Sequence, residues 1–478
     1  MKKYDAIIVG SGPNGFAAAI AMQQQGLSTL VLEGAESIGG GMRSKQLTLA
    51  GFTHDVCSAI HPMVLASPFL QTLPLNKHGL RFEYAPYQAA HPLINQPGVH
   101  LHQDMDFMAD ELKEDGAFYK KLLQPIVDKW DTLSGDILGP LHIGRHVLDM
   151  LAFGVKALPP ASWIASQFST VRGKALWAGM CAHGMQPLDN WTTSAVGLVL
   201  LATAHRFGWA IPVGGSQAIA DALLAYYSSI GGEIQTNFWL KDRAELPEHK
   251  VLLLDMTPKQ ILEIKGLDFS EKYAQQLRKF RQGMGVFKMD WALSAQTPFI
   301  DSGARQASTV HLGGSFEDIA LSELDSSQGK ISKKPFVLFS QQSQFDDSRA
   351  PGGQHTGWAY CHIPNGSEVD YTHIIEDQIE RYAPGFKSTI LARHSLGAKE
   401  MQAYNPNYVG GDINGGIMDI RQLYTRPTVS LKPYRTSNKS VYICSSSTPP
   451  GGGVHGMCGY HAARQALRDH FNILIHLS

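Results

Sequence analysis

The sequence predicts an α/β fold in two parts, and three features predict it. The chain opens with an apolar run, Ala6 to Val9, that stops at glycine and passes into a helical pattern from Asn14 to about Gln25. A later run without alternation, Val251-Leu252-Leu253-Leu254, reads as a strand buried on both faces. From Gly285 onward the apolar period becomes two, as expected of antiparallel strands in a second sheet.

The first feature is the richest. Gly10-Ser11-Gly12-Pro13-Asn14-Gly15 is G-x-G-x-x-G placed between a strand and a helix. Gly10 permits the tight turn, Gly12 lets backbone approach a pyrophosphate, and Gly15 allows close helix–strand contact. Pro13 and Asn14 in the turn are candidate cofactor contacts, and the N-terminus of the helix that follows offers N–H groups and a positive dipole end to phosphates. A second strand, Ser28 to Leu32, ends in Glu33, 18 residues beyond Gly15. A carboxylate about 20 residues on accepts from ribose hydroxyls and repels a 2′-phosphate, so the ligand is FAD or NAD rather than NADP.

Composition bounds the rest. The 478 residues suffice for two or three domains, and 41 basic against 42 acidic side chains leave no field for nucleic acid. Five scattered cysteines without a C-x-x-C argue against disulfides and a metal site and point to a reducing, cytoplasmic compartment. The first strand begins within a few residues of Met1, leaving no room for a leader. The most apolar run, about Ala195 to Ala204, is too short to span a bilayer, although a peripheral membrane contact stays open.

After Glu33 and Gly34 comes Ser37-Ile38-Gly39-Gly40-Gly41-Met42-Arg43-Ser44. This stretch resembles the extended fingerprint of the flavoproteins related to phytoene (carotenoid) desaturases and amine oxidases, in which an acid and a glycine turn hold FAD. The resemblance implies FAD and places Gly34, Gly40, Gly41, Met42, Arg43 and Ser44 against it. The segment Gly51-Phe52-Thr53-His54-Asp55-Val56-Cys57 follows, with Cys57 where the relatives usually have glycine, and it implies a position for His61 beside the flavin ring.

Residues 64 to 210 read as helices punctuated by prolines, with spans at Asp106 to Leu123, Leu141 to Leu158 and Leu176 to Ala204. Their aromatic residues and methionines suit a cap over an apolar pocket. Pro212-Val213-Gly214-Gly215, a helix over 217–229 and a strand from Glu233 to Leu240 match the place where the relatives return to the cofactor domain. Alternating strands then run at Val286 to Leu293, Ser308 to Leu312, Phe336 to Gln341 and Gly357 to Ile363, with a turn at Asp325 to Gly329. A helix is expected over Glu368 to Tyr382, and a glycine-rich loop over Asn405 to Gly416.

Near the C-terminus a strand, Ser440 to Cys444, precedes Ser445-Ser446-Ser447-Thr448-Pro449-Pro450-Gly451-Gly452-Gly453-Val454-His455 and a last helix. The segment resembles the family's second fingerprint, which implies flavin contacts from Ser445, Ser446, Gly452, Gly453, Val454 and His455. Lys288 falls at the start of the substrate-domain strand, where the amine oxidase relatives place a lysine near flavin N5. The other reading of Lys288 is a solvent-facing side chain partnered by Asp290.

The resemblance therefore implies a discontinuous, Rossmann-like FAD-binding domain from residues 1–63, 211–284 and 425–478. Residues 64–210 and 285–424 would form the substrate domain, a mixed or antiparallel sheet plus helices. The implied activity is dehydrogenation of an apolar, isoprenoid- or lipid-like substrate by hydride transfer to flavin N5, with oxygen or a quinone as electron acceptor. Lys288, His61 and His455 are the candidate catalytic groups. A non-catalytic prenyl or lipid carrier of the same fold, or a flavin-dependent isomerase or saturase, is the alternative.

Overall fold

The computed structural model describes residues 2–477 apart from 142–145 and 424. Five short strands form a wholly parallel sheet in the order Val441–Ile443, His249–Leu254, Tyr4–Val9, Thr29–Leu32, Glu233–Gln235. Apart from the edge strand Glu233–Gln235, their β-branched and leucine side chains are buried on both faces, as a parallel sheet under helices requires. Helix Pro13–Gln23 covers one face, with Ala17, Ala18 and Ala19 wholly buried. Small side chains let helix Met457–Phe471 lie against it, so close that a Cβ at Gly459 would come within 1.8 Å of the Asn14 oxygen. The α/β expectation, with a Rossmann-like sheet and a second sheet, holds.

The second sheet has seven strands, in the order Ile390–Leu396, Gly285–Leu293, His355–Ile363, Val337–Ser340, Ala307–Leu312, Tyr87–Leu93, Gln96–Leu101. It is mixed: Ala307–Leu312 pairs parallel with Tyr87–Leu93, and the other pairs are antiparallel. One face packs through Met289, Phe339 and Ala359 on helix Thr372–Tyr382. The opposite face meets the helices Val171–Ala182 and Phe316–Ser327 and a large cavity.

Several local expectations change. The hairpin of Tyr87–Leu93 and Gln96–Leu101 lies in the region read as helical; Pro97 is tolerated because its strand is the sheet's edge. Asp325, Ser326 and Ser327 close helix Phe316–Ser327 instead of forming a turn. The span from Asp106 to Leu123 is two helices, Met105–Leu112 and Gly116–Asp128, broken where Lys113 takes φ +51°. Of the Leu141 to Leu158 span, the structure describes helix Val147–Ala157, while residues 142–145 lie outside the described residues. The strand from Glu233 stops at Gln235. All nine residues of Gly285–Leu293 are buried, so its period of two records two packed faces and not a wet one. Among the described residues no helix is long and apolar enough to cross a membrane, and no group of side chains is arranged to hold a metal ion.

Candidate active site

The glycine turn sits at the carboxyl end of Tyr4–Val9, between two parallel neighbours, the position at which open α/β sheets bind ligands. Gly10 has φ +104°, and a Cβ at Gly15 would lie 2.0 Å from the Gly10 oxygen, so the sequence can turn this tightly only with glycine at both places. The residue before helix Pro13–Gln23 is Gly12, which has no side chain to cap it, and the Asn14 Oδ1 at the helix start is buried without a hydrogen-bond partner. Beneath the turn, Gly15 N–H donates to Asp255 Oδ2 at 2.9 Å. Burial pushes the Asp255 carboxyl up to about 7.

Glu33 is nearly buried and accepts four hydrogen bonds. Its Oε2 takes the N–H and hydroxyl of Ser11, and its Oε1 takes Ala35 N–H at 2.9 Å and Arg43 Nη2 at 3.1 Å. Arg43 also reaches the Ser37 oxygen and lies over the Tyr404 ring. The acid thus locks the two glycine-rich turns together.

A cavity of about 1000 Å³ opens on this turn and continues to the second sheet. Gly10, Gly12, Pro13, Asn14, Glu33, Gly34, Gly40, Gly41, Arg43, Ser445, Ser446, Gly453 and Val454 line it, as do His61 and Lys288. Leu200, Trp209, Leu338, Trp358 and Tyr360 also line it.

Lys288 stands between the two regions and is 2 % exposed. Its Nζ donates to the Asp55 main-chain oxygen at 2.7 Å and pairs with the Asp290 carboxylate. Trp358 Nε1 donates to the same Asp55 oxygen at 3.1 Å. Burial lowers the Lys288 ammonium below its ordinary value, against the opposing pull of Asp290. Burial would raise the Asp55 carboxyl, but the Arg349 guanidinium at 3.0 Å and the Ser44 hydroxyl hold it below its usual range.

Residues 8–71 match the family model for an NAD(P)-binding Rossmann-like domain. The chain is 25% identical to a mouse (Mus musculus) protein named pyridine nucleotide-disulfide oxidoreductase domain-containing protein 2, over 98% of this chain and 94% of that one. It is 26% identical to the lycopene-forming phytoene desaturase of Pseudescherichia vulneris, over 98% of this chain and 99% of that one. A putrescine oxidase variant shares the fold at a TM-score of 0.63 and 14% identity, covering 98% of this chain and 99% of that one. Over nearly its whole length the chain is thus similar to oxidoreductases, a phytoene desaturase among them, and it shares the fold of an amine oxidase.

Some expected site residues stand elsewhere in the structure. His455 is buried outside the cavity wall; its Nδ1 accepts Met457 N–H at 3.0 Å and so fixes the start of the last helix. Met42 is wholly buried in the apolar core, and the Ser44 hydroxyl is spent on Asp55. Gly15 and Gly452 lie behind the wall, Gly15 against Asp255 and Gly452 against Asn414. His61 lines the cavity, but its Nε2 is 2.7 Å from the Ser216 hydroxyl, which itself donates to Ser58 O. That leaves His61 the donor in the pair, and burial pushes its imidazole down to about 4, so it is neutral. The solvent-facing reading of Lys288 is overturned by its burial.

Other residues of the cavity were missed in the sequence. Asp255 follows a buried strand at its carboxyl end, a position that signals a site in this fold. Tyr404, Asn407 and Tyr408 come from the glycine-rich loop and its flank, and Tyr408 OH would lie 2.6 Å from a Cβ at Gly41. His183 enters from the helical cap, where nothing local marks it.

Proposed function

We propose that the cavity holds FAD over the glycine turn and that the enzyme dehydrogenates an apolar, isoprenoid- or lipid-like substrate against the second sheet. The observation that supports this reading best is the continuity of one cavity from the Gly10–Gly15 turn and Glu33, past Lys288, to the wall of Leu200, Trp209 and Leu338. Its volume lies at the upper end of ligand pockets, roughly 300–1000 Å³. The residues present fit the cofactor: a helix N-terminus that opens on the cavity behind a bare Gly12, a buried Asn14 Oδ1 without a partner, and backbone without Cβ at Gly12 and Gly40.

FAD, when bound, supplies the hydride acceptor. In this reading the helix N-terminus binds the pyrophosphate, and Glu33 accepts from ribose in exchange for the Ser11 hydroxyl. Trp209, Leu200 and Leu338 exclude water and hold the substrate by apolar contact. Lys288 Nζ keeps a positive charge at the cavity wall, where a developing negative charge is stabilised. Oxygen or a quinone is the terminal acceptor. Residues 1–63, 211–284 and 425–478 would form the cofactor unit, and 64–210 with 285–424 the substrate unit.

The test is the purified protein itself. It should be yellow, and heat should release FAD and not FMN. Anaerobic bleaching of the flavin by isoprenoid or lipid compounds, and not by amines, is the expected outcome of a substrate panel. Colourless protein that cannot be reconstituted with FAD, yet binds prenyl lipids, would instead make the chain a carrier.

A further inference from the structure

The strand register places a line of side chains across the cavity floor. Lys288 pairs with Tyr360, Tyr360 with Leu338, and Leu338 with His311, so all four share one face of the second sheet. Three interstrand steps of about 4.8 Å set His311 about 14 Å from Lys288 along this line. Val310 lies beside Ala90 in the parallel pair, which brings His91 next to His311, their rings 6.0 Å apart.

At that end His183, from the close of helix Val171–Ala182, reaches the cavity, and its Nε2 is 3.0 Å from His311 Nε2. One imidazole must donate and the other accept. His311 Nδ1 is buried with no partner, packed against Gly179, where a Cβ would come within 2.5 Å. A buried N–H without an acceptor is rarer and costlier than a bare lone pair, so the His311 proton sits on Nε2. His91 shows the same arrangement, with Nε2 against the Gly314 oxygen at 2.7 Å and Nδ1 unpartnered. His183 Nε2 is therefore the acceptor, and its Nδ1–H is left as a donor for the cavity. Burial holds both imidazoles neutral, His183 down to about 3.

We infer that His183 Nδ1–H anchors an uncharged oxygen of the substrate, with His311 as the positioning residue that fixes its tautomer. The substrate class is then an apolar chain bearing a hydroxyl or carbonyl oxygen, held at the His311 end of that line of side chains and not at the Lys288 end. This deepens the dehydrogenase reading and rests on the cavity's far end being the substrate chamber. A carboxylate or an ammonium is disfavoured there, because a neutral donor does not offset the loss of an ion's hydration. Tyr360 and Thr309 also line the chamber, and the variants below separate them from His183.

Binding is read by quenching of tryptophan fluorescence, Trp209 and Trp358 both lining the cavity, and so needs no turnover and no flavin signal. The probes are 1-decanol, 2-decanone, decane, decanoate and decylamine. The full chain should bind the alcohol and ketone about 5–10-fold more tightly than decane, the value of one net hydrogen bond. His183→Phe should bind all three alike, with decane unchanged. His311→Leu should lose the preference and His311→Gln, whose amide can still donate, should keep it. Equal binding of 1-decanol and decane by the parent protein overturns the inference without any variant, and so does a preference that survives in folded His183→Phe. Tighter binding of decanoate or decylamine than of 1-decanol also overturns it. A colourless protein would defeat the FAD reading while leaving this comparison intact.

Discussion

Lys288 Nζ donates to the main-chain oxygen of Asp55 at 2.7 Å, tying a central strand of the second sheet to the segment that follows the glycine turns. Its other partner, Asp290, is wholly buried. Lys288→Met leaves that carboxylate without its ammonium, a change that costs about 3–5 kcal/mol. The single variant should melt markedly earlier, and Lys288→Met with Asp290→Asn should recover most of the loss. If the lysine also serves the chemistry, the double variant keeps FAD but reoxidises more slowly in stopped-flow traces, with reduction by substrate less affected. Reoxidation as fast as in the parent would leave Lys288 a structural ion.

Glu33 joins Ser11, Ala35 and Arg43, so its replacement acts on both the cofactor and the turn. Glu33→Ala strands a buried guanidinium and should destabilise the fold. Glu33→Gln keeps the shape and should weaken FAD by about 10–100-fold, the value of a charge-assisted hydrogen bond of about 1.5–3 kcal/mol. Titration of apoprotein with FAD, followed by flavin fluorescence, checks it. An unchanged affinity would confine the acid to holding the turns together.

Asp255 lies directly under the turn: a Cβ at Gly12 would be 2.7 Å from its Oδ2. Burial pushes this carboxyl up to about 7, so it is neutral below that pH and ionised above it. An ionised carboxylate opposes a pyrophosphate, so FAD affinity should fall as pH rises past about 7, by at most about tenfold per pH unit. Asp255→Asn should flatten the profile. Dissociation constants measured between about pH 6 and 9 decide it, and matching slopes in the two proteins would count against Asp255.

Buried histidines set the acid limit. Burial pushes His54, His61, His91, His205 and His455 each down to about 4 from about 6.5. Between those values the unfolded chain binds more protons than the folded one, so stability falls as pH falls. Their contribution is complete above about pH 6.5 and lost towards pH 4, on the order of a few kcal/mol for each. Denaturant midpoints should hardly change from pH 8 to 7 and drop steeply from about pH 6 to 4. A flat response in the acid range would mean that these rings stay partly hydrated.

The parts legible in the sequence were those written in contiguous residues. The turn from Gly10 to Gly15, the helix after it and Glu33 at the end of the next strand lie within one short stretch, where local sterics allow little else. The helix over Gln217–Ser229 was legible for the same reason, being apolar at helical spacing between a glycine turn and Gly231-Gly232. The hairpin at Tyr87–Leu93 was not, because its strands are short and interrupted by Pro92 and Pro97, so tertiary pairing and not local pattern makes them strands.

By itself the sequence determined the α/β class, the dinucleotide turn with its acid, and a second sheet of period-two strands, all consequences of bonding within a few residues. The tertiary structure alone decided that Lys288 is a buried ion pair, that His455 supports a helix instead of facing the cavity, and that His183 meets His311. A period of two says that the side chains of a strand divide between two faces, but not what covers each face. Only the register across Gly285–Leu293, His355–Ile363, Val337–Ser340 and Ala307–Leu312 brings Lys288, Tyr360, Leu338 and His311 into one line. Such a line is made of contacts between residues far apart in the chain, and no local preference encodes it.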